Sequence, residues 1–173
     1  MPENIVLIGF MGSGKTTVGK ILATRLGWRF RDTDAMIEKK FAMTVEAIFD
    51  KFGEDVFREM ERMVVAEVAR TRRAVIATGG GAVLKLDNVQ RLQEGNRVVW
   101  LQVKPATAIK RAGLTADRPL LQDRQPEDVA ALLRCRELFY AFADVHIDTD
   151  GKDAAAVADE IEEALQTWLA NLK

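Results

Sequence analysis

The 173-residue chain carries 25 Lys and Arg against 26 Asp and Glu, a net charge of −1, and 48% of its residues are hydrophobic. This length and balance predict one globular domain, 1–173, and the near-neutral charge argues against a general nucleic-acid binder, which usually has a basic excess. The N-terminus lacks the basic leader of a signal peptide, and no apolar stretch approaches the roughly 20 residues that span a bilayer, so we expect a cytoplasmic protein without a membrane partner.

Short apolar runs alternate with amphipathic stretches along the chain. The first run, Ile5–Ile8, is typical of a strand buried on both faces of a parallel sheet. The predicted strands are 5–8, 28–31, 74–78, 96–103 and 144–149. The predicted helices are 14–26, 35–70, 87–94, 106–111, 126–141 and 157–172. Gly27 ends the first helix, and the second helix has a break near Gly53. This alternation predicts a three-layer α/β fold with a mostly parallel sheet.

Two residues of types that often serve catalysis are interpreted as structural. Cys135 is the only cysteine, which excludes an internal disulfide, and its leucine neighbours predict a half-buried thiol. His146 is the only histidine and alternates with apolar residues on the last predicted strand, which indicates a strand-surface position. Without a cluster of Cys or His, Mg²⁺ with oxygen ligands is the only metal that the sequence implies.

The segment GFMGSGKTT directly follows the first predicted strand and matches the full P-loop pattern, Gly9-x4-Gly14-Lys15-Thr16. Glycines let successive backbone N–H groups converge on phosphate oxygens at a helix N-terminus. Lys15 is suited to bridge the β- and γ-phosphates, and the Thr16 hydroxyl is suited to bind Mg²⁺. The predicted nucleotide-binding residues are therefore Gly12, Ser13, Gly14, Lys15, Thr16 and Thr17.

Asp32 and Asp34 follow the second predicted strand, at the sheet edge where ligands of α/β proteins bind. Alternate residues of an extended segment point the same way, so both carboxylates could face one cleft. One carboxylate could hold Mg²⁺ and the other could accept a hydrogen bond from an attacking hydroxyl. The alternative is that this segment only caps the next helix.

Three consecutive glycines, Gly79–Gly81, end the third predicted strand. Because three glycines cost backbone entropy, we expect the close approach of a ligand or of the P-loop there.

The arginines are ambiguous by themselves. Arg58 has Glu54 and Glu61 at helical spacing, which fits a solvated ion-pair face. It also lies at the edge of an apolar stripe, where the wall of a cleft would be. For Arg118 and Arg136, the choice between a surface role and a site role is equally open.

A P-loop is common to several classes of protein. The guanine-recognition sequence Asn-Lys-x-Asp is absent, which argues against a GTPase. Motor ATPases are usually longer and have an apolar run that ends in Asp or Asp-Glu, whereas the strands here end in RDTD and ATGGG. A kinase and a regulatory switch remain open at this point.

In their order along the chain, the motifs resemble those of the shikimate kinase family, and the match extends over nearly the whole chain. Each motif alone is shared with other small kinases, whereas the ordered set is specific. The motifs are GFMGSGKTTVGK at 9–20, DTD at 32–34, GEDVFREME at 53–61, ATGGG at 77–81, DRPLL at 117–121, and RELFY at 136–140 followed by AD at 143–144.

The resemblance implies phosphoryl transfer from ATP to the 3-hydroxyl of shikimate in aromatic amino-acid biosynthesis. It also implies a P-loop kinase of the nucleoside monophosphate kinase type, with a five-stranded parallel sheet in the order 2-3-1-4-5. A substrate-binding region at about 33–61 and a lid at about 112–124 would flank the sheet. We take a monomer as the default state.

By the same resemblance, Arg58 and Arg136 bind the shikimate carboxylate, Asp34 contacts the ring hydroxyls and Gly80 donates a backbone N–H. Arg118 in the lid reaches the ATP phosphates. A guanidinium suits the first task because its fork meets a planar carboxylate with two parallel hydrogen bonds. With Lys15, Mg²⁺ on Thr16 and Asp32, and Arg118, the site would neutralise phosphate charge; the predicted catalytic residues are Lys15, Asp34 and Arg118.

Other parts of the pattern are open. Phe49 and Phe57 fit either a floor of the substrate site or the core, and either Lys110 or Arg111 could stack on adenine, with the segment after Thr149 around it. The family commonly has Arg-Asn-Pro-Leu-Tyr where this chain has RELFY at 136–140. Without that proline, we expect the helix to run on.

Two rival functions are considered beside shikimate kinase. A related kinase such as gluconate kinase would also phosphorylate a hydroxyl group of an acidic substrate. A regulatory module that binds ATP and shikimate without turnover should have lost Lys15, Asp34 or Arg118, and all three are present.

Overall fold

The computed structural model describes residues 3–112 and 126–172. The strands are β1 Ile5–Ile8, β2 Arg29–Asp32, β3 Ala74–Ala77, β4 Arg97–Gln102 and β5 Val145–Asp148. The helices are α1 Lys15–Leu26, α2 Thr33–Phe41, α3 Val45–Val68, α4 Leu86–Gln93, α5 Pro105–Ala112, α6 Pro126–Tyr140, α7 Ala154–Ala164 and α8 Gln166–Ala170, with a 3₁₀ turn at Ala82–Leu84.

The five strands form one parallel sheet in the order β2-β3-β1-β4-β5, which confirms the predicted order. Strand β1 is central, with Ile5 paired to Val75 of β3 on one side and to Arg97 of β4 on the other. All four β1 side chains are fully buried. This burial on both faces explains why β1 is a continuous apolar run rather than an alternating one.

Each face of the sheet carries its own hydrophobic core because successive strand residues point to opposite faces. Val6 and Ile8 pack into the core that includes residues of α3, α4 and α6, whereas Ile5 and Leu7 pack into the core with α1 and α7. A third cluster lies between α2 and α3. Together the sheet and its two helical layers make the predicted three-layer α/β fold.

The predicted helix 35–70 is interrupted twice. Gly53 has φ 80° and ψ 175° within α3, as predicted, but a second break between α2 and α3 was not predicted. There Ala42 takes the left-handed conformation with φ 54°, and Thr44 starts α3 by accepting the Ala47 N–H at 3.1 Å. Local capping by a threonine therefore overrides the continuous apolar pattern.

Two smaller predictions are wrong. The last helix is not continuous: Leu165 leaves helical geometry with φ −101° and ψ 4°, so the pattern divides into α7 and α8. Cys135 is exposed rather than half-buried, because the buried face of α6 consists of Val129, Leu133, Arg136 and Tyr140. As expected without a proline, α6 does run on to Tyr140. Within the two described ranges, no helix is both long and apolar enough to cross a membrane.

Candidate functional site

A cleft of about 720 Å³ opens at the carboxyl ends of the strands. This is the edge at which open α/β sheets bind ligands. The predicted site residues that line the cleft are Gly12, Ser13, Gly14, Lys15, Thr16, Thr17, Asp32, Asp34, Arg58, Gly79, Gly80, Gly81 and Arg136. Arg118 and residues 113–124 of the predicted lid lie outside the described residues.

The loop between β1 and α1 needs glycine at two positions for different neighbours. Gly9 and Gly12 have φ 142° and 75°, a region that other residues rarely adopt. A Cβ at Gly9 would lie 2.5 Å from the Leu101 carbonyl oxygen, and one at Gly12 would lie 2.8 Å from that of Ala108. The loop thus packs directly on backbone of β4 and α5, and helix α1 begins immediately behind it. The result is a loop of backbone groups at a helix N-terminus, the arrangement that binds phosphate.

The ammonium group of Lys15 lies at this loop. Its Nζ donates to the carbonyl oxygens of Gly9 at 2.9 Å and Phe10 at 2.8 Å, and it is 3.4 Å from Ser13 Oγ. Ser13 is buried, while Thr16 and Thr17 are exposed on the first turn of α1. One mobile positive charge is therefore held beside the phosphate-binding loop.

Asp32 connects the P-loop to the start of α2. Its Oδ2 accepts a hydrogen bond from Thr16 Oγ1 at 2.9 Å, and its Oδ1 accepts the N–H groups of Asp34 at 3.1 Å and Ala35 at 3.3 Å. Asp32 therefore does cap α2, as the alternative predicts, but only its Oδ1 takes part in the cap, while Oδ2 bonds to Thr16. A hydroxyl and a carboxylate 2.9 Å apart are oxygen donors of the kind that Mg²⁺ prefers, so the two residues fit the metal that the P-loop implies.

A buried ion pair between Arg58 and Glu61 also lines the cleft. Arg58 Nη1 lies 2.8 Å from Glu61 Oε2, while Nη2 and Nε lie 2.9 and 3.2 Å from Glu54 Oε1. Arg58 is 6% exposed and Glu61 is fully buried. The solvated ion-pair face suggested by the spacing is thus wrong: the ion pair is real, but it forms a wall of the cleft.

Burial acts in opposite ways on these two groups. Burial raises the pKa of Glu61, and the opposing effect of Arg58 does not fully offset it. Burial tends to lower the pKa of Arg58, but the two carboxylates Glu61 and Glu54 outweigh it and the net pKa is raised. The guanidinium is therefore firmly cationic at the cleft, as an anion-binding group must be.

The triple-glycine loop leaves space for charged side chains. A Cβ at Gly79 would lie 2.7 Å from Asp34 Oδ1 and 2.9 Å from Glu61 Oε1, and a Cβ at Gly81 would lie 2.6 Å from Arg58 Nη1. At these two glycines, the close approach is by the protein's own side chains rather than by a ligand or the P-loop. Gly80 differs, since its Cβ would make only ordinary contacts at 3.6 Å, one to Arg136 Nη1 and two to backbone atoms of the P-loop.

Arg136 and Tyr140 lie one helical turn apart on the buried face of α6. Arg136 is 6% exposed, and its guanidinium carbon lies 5.7 Å from the centre of the Phe10 ring. Tyr140 Oη donates to the Gly80 carbonyl oxygen at 2.7 Å. Sequence reasoning gave no role to Tyr140 or to the burial of Glu61, although the four-residue spacing from Arg136 was a signal for Tyr140.

Arg111 and Thr149 meet at the P-loop end of the cleft. Arg111 donates to Thr149 Oγ1 at 3.0 Å and to its carbonyl oxygen at 2.9 Å, and it is 3.3 Å from the Gly12 carbonyl oxygen. Both residues line the cleft, whereas Lys110 is exposed and does not. Of the two candidates for an adenine contact, the structure therefore favours Arg111.

Three further residues have an interpretable position. Phe49 and Phe57 line the cleft with ring centres 4.6 Å apart. Phe57 belongs to the cluster between α2 and α3 and Phe49 packs against it, so both have the core role, while a floor of the substrate site stays a prediction. His146 is exposed on β5 with its ring 5.0 Å from that of Trp100, as a strand-surface residue should be. Among the residues with described positions, no group of three or more His, Cys, Asp or Glu could hold a metal.

Known proteins resemble this chain in sequence and in structure. A family model described as shikimate kinase matches residues 11–166. A curated shikimate kinase from Moorella thermoacetica is 66% identical over 172 residues, 99% of both chains, and one from Thermoanaerobacter pseudethanolicus is 46% identical over 163 residues, 94% of this chain and 95% of the relative. The solved structure of a shikimate kinase from Acinetobacter baumannii in complex with shikimate matches with TM-score 0.90 and 39% identity, covering 99% of this chain and 95% of that one.

Proposed function

The chain belongs to the shikimate kinase family, and we propose that it transfers the γ-phosphoryl group of ATP to the 3-hydroxyl of shikimate, giving shikimate 3-phosphate and ADP. The observation that carries this proposal is the pairing of two unlike sites in one cleft. The P-loop with Lys15 lines this cleft, and so do the buried cations Arg58 and Arg136 together with Asp34. A triphosphate and a carboxylate acceptor need these two kinds of site.

At the donor end, Gly12–Thr17 bind the triphosphate through backbone N–H groups and the Lys15 ammonium. Lys15 is already hydrogen-bonded to the loop that would hold the phosphates, so little chain movement is needed to engage them. Thr16 and Asp32 would hold Mg²⁺, which neutralises charge on the phosphates when bound. Arg111, with Thr149, forms one side of the site for the nucleotide base.

At the acceptor end, Arg58 and Arg136 bind the carboxylate of shikimate and thereby orient its ring. Gly80 supplies a backbone N–H, and Asp34 contacts the ring hydroxyls. As the hydroxyl oxygen forms a bond to the γ-phosphorus, the bond from that phosphorus to the β,γ-bridging oxygen breaks, and Asp34 accepts the hydroxyl proton. Placement of the acceptor by two guanidinium groups supplies much of the rate, because phosphoryl transfer depends mainly on positioning and charge neutralisation.

Three parts of the proposal rest on the family resemblance or on composition. Arg118, with the lid at about 112–124, would add positive charge at the phosphates and exclude water from the reaction. The chain would act as one domain, 1–173, with its substrate-binding region at about 33–61. It would work as a cytoplasmic monomer.

The experiment that tests the function measures ADP release from Mg·ATP with shikimate, beside quinate, gluconate and AMP. We expect strong turnover with shikimate alone. Turnover with gluconate or another acid in its place would keep phosphoryl transfer but overturn the acceptor. ATP binding without turnover on any of the four compounds would favour the regulatory module instead.

A further inference from the structure

Two buried hydroxyl groups hold the triple-glycine loop from different sides. Thr33 Oγ1 accepts the Gly79 N–H at 2.9 Å, and Thr33 is fully buried. Tyr140 Oη donates to the Gly80 carbonyl oxygen at 2.7 Å, and Tyr140 is 1% exposed. The two hydroxyls belong to α2 and α6, so the loop is attached to two helices that are far apart in the sequence.

The other backbone groups of the loop include two N–H groups that are available to a ligand. The Gly79 and Gly81 carbonyl oxygens accept the N–H groups of Ala82 and Leu84, both at 3.1 Å. The N–H groups of Gly80 and Gly81 donate to no acceptor among the residues that the structure describes. Both glycines line the cleft. Since backbone donors in a folded protein normally find an acceptor, these two N–H groups are available to a ligand.

A run of three glycines cannot hold such donors in place by itself. Glycine has the largest backbone freedom of any residue, and no side chain of the loop packs against a neighbour to restrict it. The peptide group that carries the Gly80 N–H is held locally through its carbonyl, since the Gly79 oxygen accepts the Ala82 N–H at 3.1 Å. The two hydroxyls add restraints from outside the loop: Thr33 holds the Gly79 N–H of the preceding peptide group, and Tyr140 holds the Gly80 carbonyl oxygen of the following one.

We propose that Thr33 and Tyr140 are positioning residues, which hold the triple-glycine loop so that the Gly80 N–H stays presented to the acceptor. This inference rests on the proposed function, because the acceptor is the ligand whose affinity it explains. Each of the two residues is also close along its helix to a residue of the proposed acceptor site: Thr33 directly precedes Asp34, and Tyr140 lies one turn after Arg136. A shift of either anchor would therefore move the loop relative to the groups that grip the carboxylate.

The Tyr140 hydroxyl is suited to this task over the whole physiological pH range. Burial raises its pKa to about 12, against an opposing effect of nearby Arg136. It therefore stays a protonated donor to the Gly80 carbonyl. Its ring is fixed as well, with its centre 5.7 Å from that of Trp100.

The test compares Thr33→Val, which replaces the hydroxyl group by a methyl group, and Tyr140→Phe, which removes it, with Thr71→Val as a control that is matched to the threonine variant. Thr71 Oγ1 donates to the Val68 carbonyl oxygen at 2.7 Å, away from the cleft. Hydrogen exchange of a peptide that covers 78–84 reports whether the loop is held, without any ligand. Calorimetric titration with shikimate, and the KM and kcat of ADP release, report whether holding it matters for the acceptor.

We expect faster exchange in the loop peptide for both hydroxyl deletions and an unchanged rate for Thr71→Val. We expect the Kd and KM for shikimate to rise about five- to tenfold, the usual effect of losing one hydrogen bond, with the KM for ATP unchanged. A purely structural role would lower the melting temperature of all three variants without this selective effect on shikimate. Because Thr33 and Tyr140 lie on different helices, either variant tests the proposal if the other fails to fold.

Two results would overturn the inference, and a third would overturn only the function. Unchanged exchange at 78–84 in both deletions would show that the hydroxyls do not hold the loop. Faster exchange with an unchanged Kd for shikimate would show that the held loop does not set acceptor affinity. Wild-type protein that binds Mg·ATP but not shikimate would refute the proposed function, while the exchange measurement would still decide whether the loop is held.

Discussion

Adjacent glycines in the triple-glycine loop should respond in opposite ways to the addition of one methyl group. In Gly81→Ala, the new Cβ would lie 2.6 Å from Arg58 Nη1, a distance that real Cβ atoms essentially never show. In Gly80→Ala, the Cβ would lie 3.6 Å from its nearest neighbours, an ordinary van der Waals contact. Neither glycine has a φ in the left-handed region, so the backbone itself accepts alanine at both positions.

The cost at Gly81 depends on how far Arg58 can move. Arg58 is held by Glu61, which is fully buried, so the guanidinium cannot move into solvent without leaving that carboxylate. Overpacking that keeps the ion pair costs about 1–3 kcal/mol, and losing one partner of a buried pair costs about 3–5 kcal/mol. At Gly80, the lower unfolded-state entropy of alanine should stabilise the protein by about 0.4–1 kcal/mol.

Thermal melts and shikimate titration separate the two effects. Gly81→Ala should melt lower than wild type, by roughly 2–4 °C for each kcal/mol lost in a chain of this size. Gly80→Ala should melt at or slightly above the wild-type temperature, yet it should bind shikimate at least about tenfold more weakly, because the methyl group occupies the acceptor end of the cleft. A Gly81→Ala variant as stable as Gly80→Ala would refute the steric reasoning, and tight shikimate binding by Gly80→Ala would remove Gly80 from the acceptor site.

Three further substitutions test the charged residues of the cleft. Asp34→Asn should keep the Kd for ATP but lower kcat about 100-fold or more, as expected for losing a positioned base; near-normal turnover would exclude that role. Arg58→Lys should raise the KM for shikimate about tenfold or more and leave the KM for ATP unchanged, because a lysine lacks the guanidinium fork. The control Arg62→Lys, on the exposed side of the same helix, should change neither KM. For Glu61, burial raises the folded-state pKa above that of an exposed glutamate, so the stability that this group contributes is fully present below the unfolded-state pKa and is lost as the pH rises through the folded-state pKa. Urea unfolding from pH 4.5 upward should therefore show wild type losing stability relative to Glu61→Gln, and a pH-independent difference would contradict this.

The strands and the P-loop could be predicted because local sequence determines them. Ile5–Ile8 is apolar at every position because both faces of β1 are covered, and the glycine pattern behind it has few other uses. The sheet order followed from the family resemblance and not from the strand patterns. The helix break at Ala42–Thr44 and the one at Leu165 could not be predicted, since capping and tertiary packing override an apolar periodicity that continues through them.

The burial of the charged residues could not be predicted from the sequence either. Arg58 and Glu61 have the spacing of an ordinary surface pair, and nothing in that spacing distinguishes an exposed pair from a buried one. The same holds for Tyr140, whose hydroxyl reaches a carbonyl group 60 positions away along the chain. Such contacts depend on how α3, α6 and the loop after β3 meet in space. The three glycines indicated a close approach correctly, but their sequence could not say that side chains make it.

The buried ion pair bears on the proposed role of Arg58, because it fixes the guanidinium before any acceptor binds. Arg58 has five N–H groups, and within the described residues Glu54 takes two and Glu61 takes one. One N–H on Nη1 and one on Nη2 have no acceptor among the described residues, and the proposed function assigns these donors to the carboxylate of the acceptor. In that role, the two glutamates would reduce the entropy lost on binding, since they orient the guanidinium before the acceptor arrives.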